Sequence, residues 1–590
     1  MRNEIAYFGV CSDMNNSNLP VDDPDETPDY GGYPWLTAYP AGISWNAALQ
    51  PTSVHLLLEQ SANKHPNRTC TDFLDKRLTY SNISQLVDRA ACGLQQIGVK
   101  KGTKVGLFLP NSPTFIIFYY ATLKVGGVVV NFNPLYTVEE LTFQVEDSET
   151  DVMVTLDLKL LFDKVEALIE QGPLKRAIVC SFPALLPSFK STLYKLLKGN
   201  DIAKPKAARI ADKLIFEEQI FANDGRVDVP SITPEEDLAV LQYTGGTTGT
   251  PKGAMLTHAA VSCNVQQLAA WAPELKPGEE RMMGILPFFH VFAMTVVMNF
   301  GVATAAELII VPKFELDQAM KLINKTKPTV MPGVPTLFNA IMNYSKLSSV
   351  DLSSLKFCLS GGAPLPLEIK RGFEGLTGCK LVEGYGLSET SPVATANPLE
   401  GPVKEGSIGQ PVPGTILSIR ELGNPGHEMA LGENGEICIA GPQVMKGYWK
   451  RPKETSDVFV GEFLRTGDVG YMDDEGFTFI VDRLKDLIIC SGYNVYPRRI
   501  EEAIYEFPAV EEVTVIGIAD EYRGEAPKAF VKLKDGHTAT IEDIFKFLEP
   551  KISKIEMPAE IEFRDELPKT MIGKLSKKEL KQEEVERKGR

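Results

Sequence analysis

Residues 243 to 258 read Tyr-Thr-Gly-Gly-Thr-Thr-Gly-Thr-Pro-Lys-Gly-Ala-Met-Leu-Thr-His. Gly245, Gly246 and Gly249 alternate with Thr244, Thr247, Thr248 and Thr250, and Lys252 closes the run. Glycine lets successive backbone N–H groups converge on one point, and such a nest binds anions. The threonine hydroxyls add donors, and Lys252 adds a charge suited to phosphate. The stretch is not the common P-loop, which needs Gly, four residues, then Gly-Lys-Ser/Thr. Here Pro251 precedes the lysine and Gly253 follows it. A flexible Gly/Thr linker is the competing reading. The apolar run from Leu238 to Tyr243 argues against it, because it predicts a buried strand. Gly253 to His258 predicts a second strand, leading into a helix from about Ala259 to Trp271.

Other short stretches offer chemistry only in combination. Leu286-Pro-Phe-Phe-His290 ends in a lone histidine before an apolar helix. Ser360-Gly-Gly-Ala-Pro-Leu-Pro366 is a tight turn whose backbone could approach a flat ring. Glu383-Gly-Tyr-Gly-Leu-Ser-Glu-Thr390 sets an aromatic ring and a carboxylate beside glycines. Thr466-Gly-Asp468 offers a carboxylate after a strand. Asp482-Arg-Leu-Lys-Asp486 precedes Ser491-Gly-Tyr-Asn-Val-Tyr-Pro497, and Pro568-Lys-Thr-Met-Ile-Gly-Lys574 places a lysine after a glycine turn.

The elements around these motifs set the scale. A chain of 590 residues exceeds one hydrophobic core, so two to four domains are expected. From about 50 to 180, and again from 238 to 390, helical patterns alternate with short apolar runs such as Val105–Pro110 and Val152–Thr155, the signature of parallel α/β layers. From 405 to 482 short strands with turn signals predict a barrel-like β unit. A charged, mixed α and β region follows residue 485. Residues 11 to 34 are rich in Asp, Asn, Pro and Gly and read as a disordered or loosely draped extension.

Composition excludes several classes. The net charge of −16 argues against general nucleic-acid binding. Nine scattered cysteines without a C-x-x-C pair argue against a disulfide framework or zinc site and fit a reducing compartment. The N-terminus lacks the apolar core of a secretion signal, so a cytoplasmic location is expected. Phe115–Phe132 and Val291–Pro312 are apolar enough to resemble spans. Lys124 with Gly126-Gly127 breaks the first into a helix and a strand. Gly301 and the strand-like Leu308–Val311 turn the second into a buried helix, a turn and a strand.

Residues 182 to 213 stand apart, with seven basic and two acidic side chains interleaved with Phe182, Leu185, Leu186, Phe189, Leu193, Tyr194, Leu196 and Leu197. Pro183 and Pro187 disfavour helix before about Ser188. Two readings stay open: a basic amphipathic helix making a peripheral contact with the inner membrane face, or a solvated surface helix packed by one face.

Taken in this order, the motifs resemble the adenylate-forming superfamily of acyl-CoA synthetases, luciferase and peptide-synthetase adenylation domains. The resemblance covers roughly residues 50 to 580. Val130-Asn-Phe-Asn-Pro-Leu-Tyr-Thr137, the Tyr-Gly-Leu-Ser-Glu-Thr form and Trp35-Leu-Thr-Ala-Tyr-Pro look most like bacterial long-chain fatty-acid–CoA ligases. It implies an extension (1–49), a large region of two stacked α/β subdomains plus a β-barrel (50–484), and a small mobile α+β C-terminal domain (485–590) beyond a hinge at Lys485. It also implies an AMP-forming acid–thiol ligase that uses ATP, Mg²⁺ and CoA. The Thr244, Gly245, Gly246, Thr247, Thr248, Gly249 and Lys252 loop would hold the β- and γ-phosphates. Gly361, Gly362, Ala363, Tyr385 and Gly386 would line the adenine, and Asp468 with Arg483 the ribose. Thr244 and Glu389 would bind Mg²⁺. Lys574 would act on the carboxylate and α-phosphate, with His290 also in the catalytic set. Ser491, Gly492 and Tyr493 would belong to the CoA tunnel. The oligomeric state stays open, a dimer included.

Two positions depart from the pattern: Arg499 stands where many relatives carry Glu, and Lys577 where Arg is frequent. Of the competing readings, an amino-acid-activating domain lacks its acid, because Phe288-Phe-His-Val-Phe-Ala offers none. A medium-chain or aryl-acid ligase remains open, since chain length is set by pocket depth. A non-catalytic nucleotide sensor is disfavoured by the presence of Lys574, Asp468 and Glu389 together.

Overall fold

The computed structural model describes residues 32–244, 250–491, 493–520, 522–570 and 573–588. Most of the stretch read as a draped extension lies outside them. So do Gly245, Gly246, Thr247, Thr248, Gly249 and Gly492.

Two α/β layers form the large body and share one apolar core. One is a seven-stranded sheet in the order Leu214–Phe216, Ala177–Cys180, Val152–Leu156, Lys104–Leu107, Val128–Asn131, Leu238–Thr244, Lys252–Thr257. All its pairings are parallel except the last. The other is nine-stranded, and Arg281–Gly284, Val330–Gly333, Phe357–Ser360 and Lys380–Gly386 lie side by side and parallel within it. Their carboxyl ends fall in register, Gly333 opposite Ser360 and Ser360 opposite Glu383. Ligands of open α/β sheets bind at such ends. The β unit expected from 405 to 482 is a six-stranded antiparallel sheet built on Ile416–Glu421, Gly435–Ala440, Phe463–Met472 and Thr478–Arg483.

Both span-like segments are core. Pro113–Lys124 is a buried helix followed by the strand Val128–Asn131. After His290 a π-helical stretch, Ala293–Asn299, runs into Phe300–Ala303 and then the strand Glu307–Ile310. Asn299, a polar break in that run, is buried and satisfied: it accepts from the Tyr120 hydroxyl at 2.8 Å and donates to the Tyr119 hydroxyl at 2.9 Å. Among the described residues no helix is long and apolar enough to cross a membrane. The eight described cysteines are all buried and free.

A smaller unit follows the short helix Leu484–Asp486, where the chain passes from the antiparallel sheet to the strand Ile488–Cys490. Its five-stranded sheet centres on the hairpin Val510–Asp520 and Gly524–Leu533 and packs on the helices Pro497–Tyr505 and Ile541–Leu548 around a core of its own.

Candidate functional site

The motifs meet where the parallel strands end. Asp468, on Phe463–Met472, is 2% exposed, and it lies opposite Arg483 of the neighbouring strand. Arg483 Nε donates to Asp468 Oδ1 at 2.8 Å, and the Tyr385 hydroxyl donates to Oδ2 at 2.6 Å. A pocket wall therefore carries an aromatic ring, a carboxylate and a guanidinium. Burial first, then the charge of Asp468, drives the Tyr385 phenol upward, so it stays protonated and donating.

The glycines of this wall have steric reasons. Gly362 holds φ +77°, a backbone region that disfavours side chains. A Cβ on Gly361 would sit 3.0 Å from the Phe292 ring and 3.3 Å from the Gly384 carbonyl, and one on Gly386 would overlap the Pro392 carbonyl. Ala363 follows, half-buried.

On the adjacent side, Thr244 ends its strand opposite Lys252, and its hydroxyl lies 3.4 Å from the Lys252 carbonyl. Lys252 Nζ stands 5.0 Å above the Tyr448 ring. The Tyr448 hydroxyl donates to Glu389 Oε1 at 2.7 Å. Tyr448 is held there because the segment 446–449 pairs with the Lys252–Thr257 strand, through Met255 N to the Gly447 carbonyl and Trp449 N to the Gly253 carbonyl. Sequence reasoning missed Tyr448. Its signal was a lone aromatic pair, Tyr448-Trp449, between Gly447 and Lys450.

Lys574 comes from the smaller unit. Its turn is closed by Thr570 N donating to the Lys574 carbonyl at 2.6 Å and by Lys574 N donating to Thr570 Oγ1 at 3.2 Å. Burial first, then the like charges of Arg483, Lys577 and Lys485, lower its pKa to about 8, with Asp468 opposing. The ammonium thus enters a region rich in cations, suited to a polyanion. His290 is held near about 4, mainly by burial and then by Lys574, and is neutral at physiological pH. Its Nδ1 accepts from Phe292 N at 3.3 Å, which leaves the proton on Nε2.

Ser491 and Tyr493 stand apart from this cluster. Ser491 adopts φ +51°, and Tyr493 is 67% exposed. Lys485 is exposed within the short connecting helix. Of the two departures, Arg499 pairs with Glu556 at 3.0 Å, and Lys577 pairs with Glu501 at 2.8 Å.

Below the wall lies an apolar cavity of about 40 Å³, bordered by Trp271, Met282, Val296, Val330, Leu359 and Val382. Leu359 and Val382 lie two and three residues ahead of Gly361 and Tyr385 in sequence, and Val296 follows His290 on the buried helix.

Known proteins resemble this chain over most of its length. A long-chain-fatty-acid–CoA ligase of Bacillus subtilis is 44% identical over 94% of this chain and 98% of its own length. One of Escherichia coli is 36% identical over 93% and 98%. The ATP-bound crystal structure of MatB from Rhodopseudomonas palustris superposes with a TM-score of 0.78 at 27% identity, covering 90% of this chain and 99% of that one. The pattern of the AMP-binding enzymes matches residues 58–449 and that of their C-terminal domain residues 499–574, so the chain belongs to the AMP-binding enzyme family.

Proposed function

We propose that this protein is an AMP-forming ligase that activates a long-chain fatty acid with ATP and transfers the acyl group to CoA. The observation that carries the reading is the delivery of Lys574 to the wall formed by His290, Asp468 and Arg483. The relatives named as long-chain ligases supply the substrate class.

The chemistry asks for positioning and charge neutralisation. A fatty acid is ionised at neutral pH, as Glu is, so its carboxylate can attack the α-phosphate without a general base. The attack expels pyrophosphate and leaves an acyl-adenylate. Lys574 would offset charge shared by the carboxylate and the α-phosphate, and such preorganised charge lowers the barrier most in a site shielded from water. Lys252 and Thr244 would meet the outer phosphates. Tyr385 and the backbone of Gly361, Gly362, Ala363 and Gly386 would receive the adenine. Asp468, oriented by Arg483, would accept from the ribose hydroxyls. In the second step the CoA thiolate attacks the acyl carbonyl of the mixed anhydride and releases AMP. Ser491, Gly492 and Tyr493 would guide CoA after the smaller unit turns about Lys485.

Mg²⁺ fits the donors present. Glu389 and Thr244 offer hard oxygens, and Tyr448 occupies only one oxygen of Glu389. A hard cation held by one carboxylate and by phosphate oxygens is the usual arrangement, and it would neutralise phosphate charge. Glu389 and Thr244 would hold it.

Pyrophosphate exchange with short-, medium- and long-chain acids and with benzoate tests the reading. Exchange strongest with long-chain acids supports it. Exchange strongest with benzoate or a medium-chain acid replaces the substrate, and no exchange with any acid removes the ligase reading.

A further inference from the structure

The helix Ser188–Leu197 carries Phe189, Leu193, Leu196 and Leu197 at the i, i+4, i+7, i+8 spacing of a single face. In a folded domain that face usually turns toward the core. Here it turns to solvent: Phe189 is 79% exposed, Leu193 42%, Leu196 78% and Leu197 73%, and no residue of the helix is buried. The helix is nevertheless fixed from its other side. Tyr194 packs on Phe182 with ring centroids 5.0 Å apart, and Lys190 Nζ donates to the Leu74 carbonyl at 3.1 Å and pairs with Asp75 at 2.5 Å.

Cations frame this apolar stripe. Lys195, Lys204, Arg209 and Lys213 are exposed and form no ion pair with any described residue. Lys198 and Lys206 pair only with solvent-exposed acids, Asp201 at 3.9 Å and Glu218 at 3.4 Å, and Lys206 also lies 5.1 Å above the Phe216 ring. Residues 182–213 carry a net +5 within a chain of −16. A rigidly mounted apolar stripe ringed by unpaired lysines matches the boundary between anionic headgroups and acyl chains: the apolar side chains enter, and the lysine stems extend their charges outward. Two copies meeting through this face would set like charges against each other.

We propose that the face formed by Phe189, Leu193, Leu196 and Leu197 and the surrounding lysines docks the protein on an anionic lipid bilayer. The dock would place the enzyme where long-chain acids partition, but it stands independently of the ligase reading, because it is scored without substrate.

The test is co-sedimentation of the full chain with phosphatidylcholine vesicles, with and without phosphatidylglycerol, at about 0.1 M and about 0.5 M salt. One variant combines Phe189→Ser, Leu196→Ser and Leu197→Ser. The other combines Lys195→Glu, Lys204→Glu, Arg209→Glu and Lys213→Glu. All these side chains are exposed, and unchanged circular dichroism and pyrophosphate exchange with a soluble medium-chain acid check the fold. The expected result is binding to anionic vesicles that weakens with salt. Loss of each charge should cost about fivefold in partitioning, and both variants should bind weakly. Absence of vesicle binding, or binding indifferent to lipid charge and to both variants, overturns the proposal. So does a lipid-free decrease in sedimentation coefficient for the serine variant without vesicle binding by the wild type, which would assign the face to a second copy.

Discussion

The Thr336 hydroxyl donates a 2.8 Å hydrogen bond to the carbonyl of Gly573, tying the large body to the residue before Lys574. Gly573 has φ +80°, and a Cβ there would lie 3.0 Å from Thr336 Oγ1 and 3.4 Å from Val334. The turn backbone and the close approach both call for glycine. A hydrogen bond of this kind contributes about 1 kcal/mol. Thr336→Val keeps the shape and removes the donor, so it should slow pyrophosphate exchange by about fivefold. Thioester formation from supplied acyl-adenylate should hold its wild-type rate, because the proposed turn about Lys485 would break this bond before that step. Equal slowing of both steps would refute a bond specific to adenylation.

Lys574 sets a pH dependence. Its pKa, pulled down to about 8, means the ammonium form is present below that pH and is lost above it. The kcat/KM of adenylation should therefore fall as pH rises through about 8. His290, neutral above about 4, should add no limb near 6.5. Lys574→Ala should reduce exchange by at least about a hundredfold, the scale of losing one preorganised charge. Lys574→Arg should be slower than wild type yet lack the alkaline limb, since guanidinium stays charged. An unchanged limb in the arginine variant would assign the titration to another group.

Glu389 and Tyr448 form a testable pair. Glu389→Gln removes a hard anionic oxygen and should raise the Mg²⁺ concentration for half-maximal activity by about tenfold or more. Tyr448→Phe removes only the donor to Oε1 and should shift that concentration by a few-fold at most. A Mg²⁺ titration of both variants decides the matter. If Glu389→Gln retains the wild-type requirement, Glu389 is not a ligand.

Periodicity and glycine placement made the fold class legible. The apolar runs at Val105, Val128, Val152 and Ala177 became adjacent parallel strands, because an apolar run of strand length between helices has few other places to go. Tyr385 and Asp468 were legible because glycines flank them: a Cβ on Gly386 would overlap the Pro392 carbonyl, and Gly467 holds φ +71°, while Glu389 was legible only as part of the Tyr-Gly-Leu-Ser-Glu-Thr run. Thr336 was not. It is one threonine in an ordinary helix start, and its role exists only once the smaller unit packs against that helix. The exposed stripe of Ser188–Leu197 left two readings open for a similar reason, since spacing fixes a helical face but not whether that face turns inward. The pairing of Lys577 with Glu501 likewise depends on how the final helix docks on Pro497–Tyr505.

Trp35 supports the antiparallel sheet from outside the α/β layers. It is 1% exposed, stacks on Tyr33 with centroids 4.7 Å apart and lies 6.2 Å from Trp45. Trp45 Nε1 donates to the Thr415 carbonyl at 3.0 Å, and the Tyr39 hydroxyl donates to that of Pro411 at 2.7 Å. Gly476, at φ +75°, lets the turn after the strand Phe463–Met472 close on this strap; a Cβ there would come within 2.3 Å of the Trp35 Cα. Gly476→Ala therefore meets both backbone strain and a backbone collision, and it should lower the unfolding midpoint of the large body measurably. Trp35→Ala should cost about 3–5 kcal/mol, as a large aromatic removed from a core does. Trp35→Phe should cost less, because Trp35 Nε1 is buried without a hydrogen-bond partner and the ring face is kept. Thermal unfolding of the three variants gives the order: an alanine at Trp35 no worse than phenylalanine would show that the strap adds no packing to the sheet.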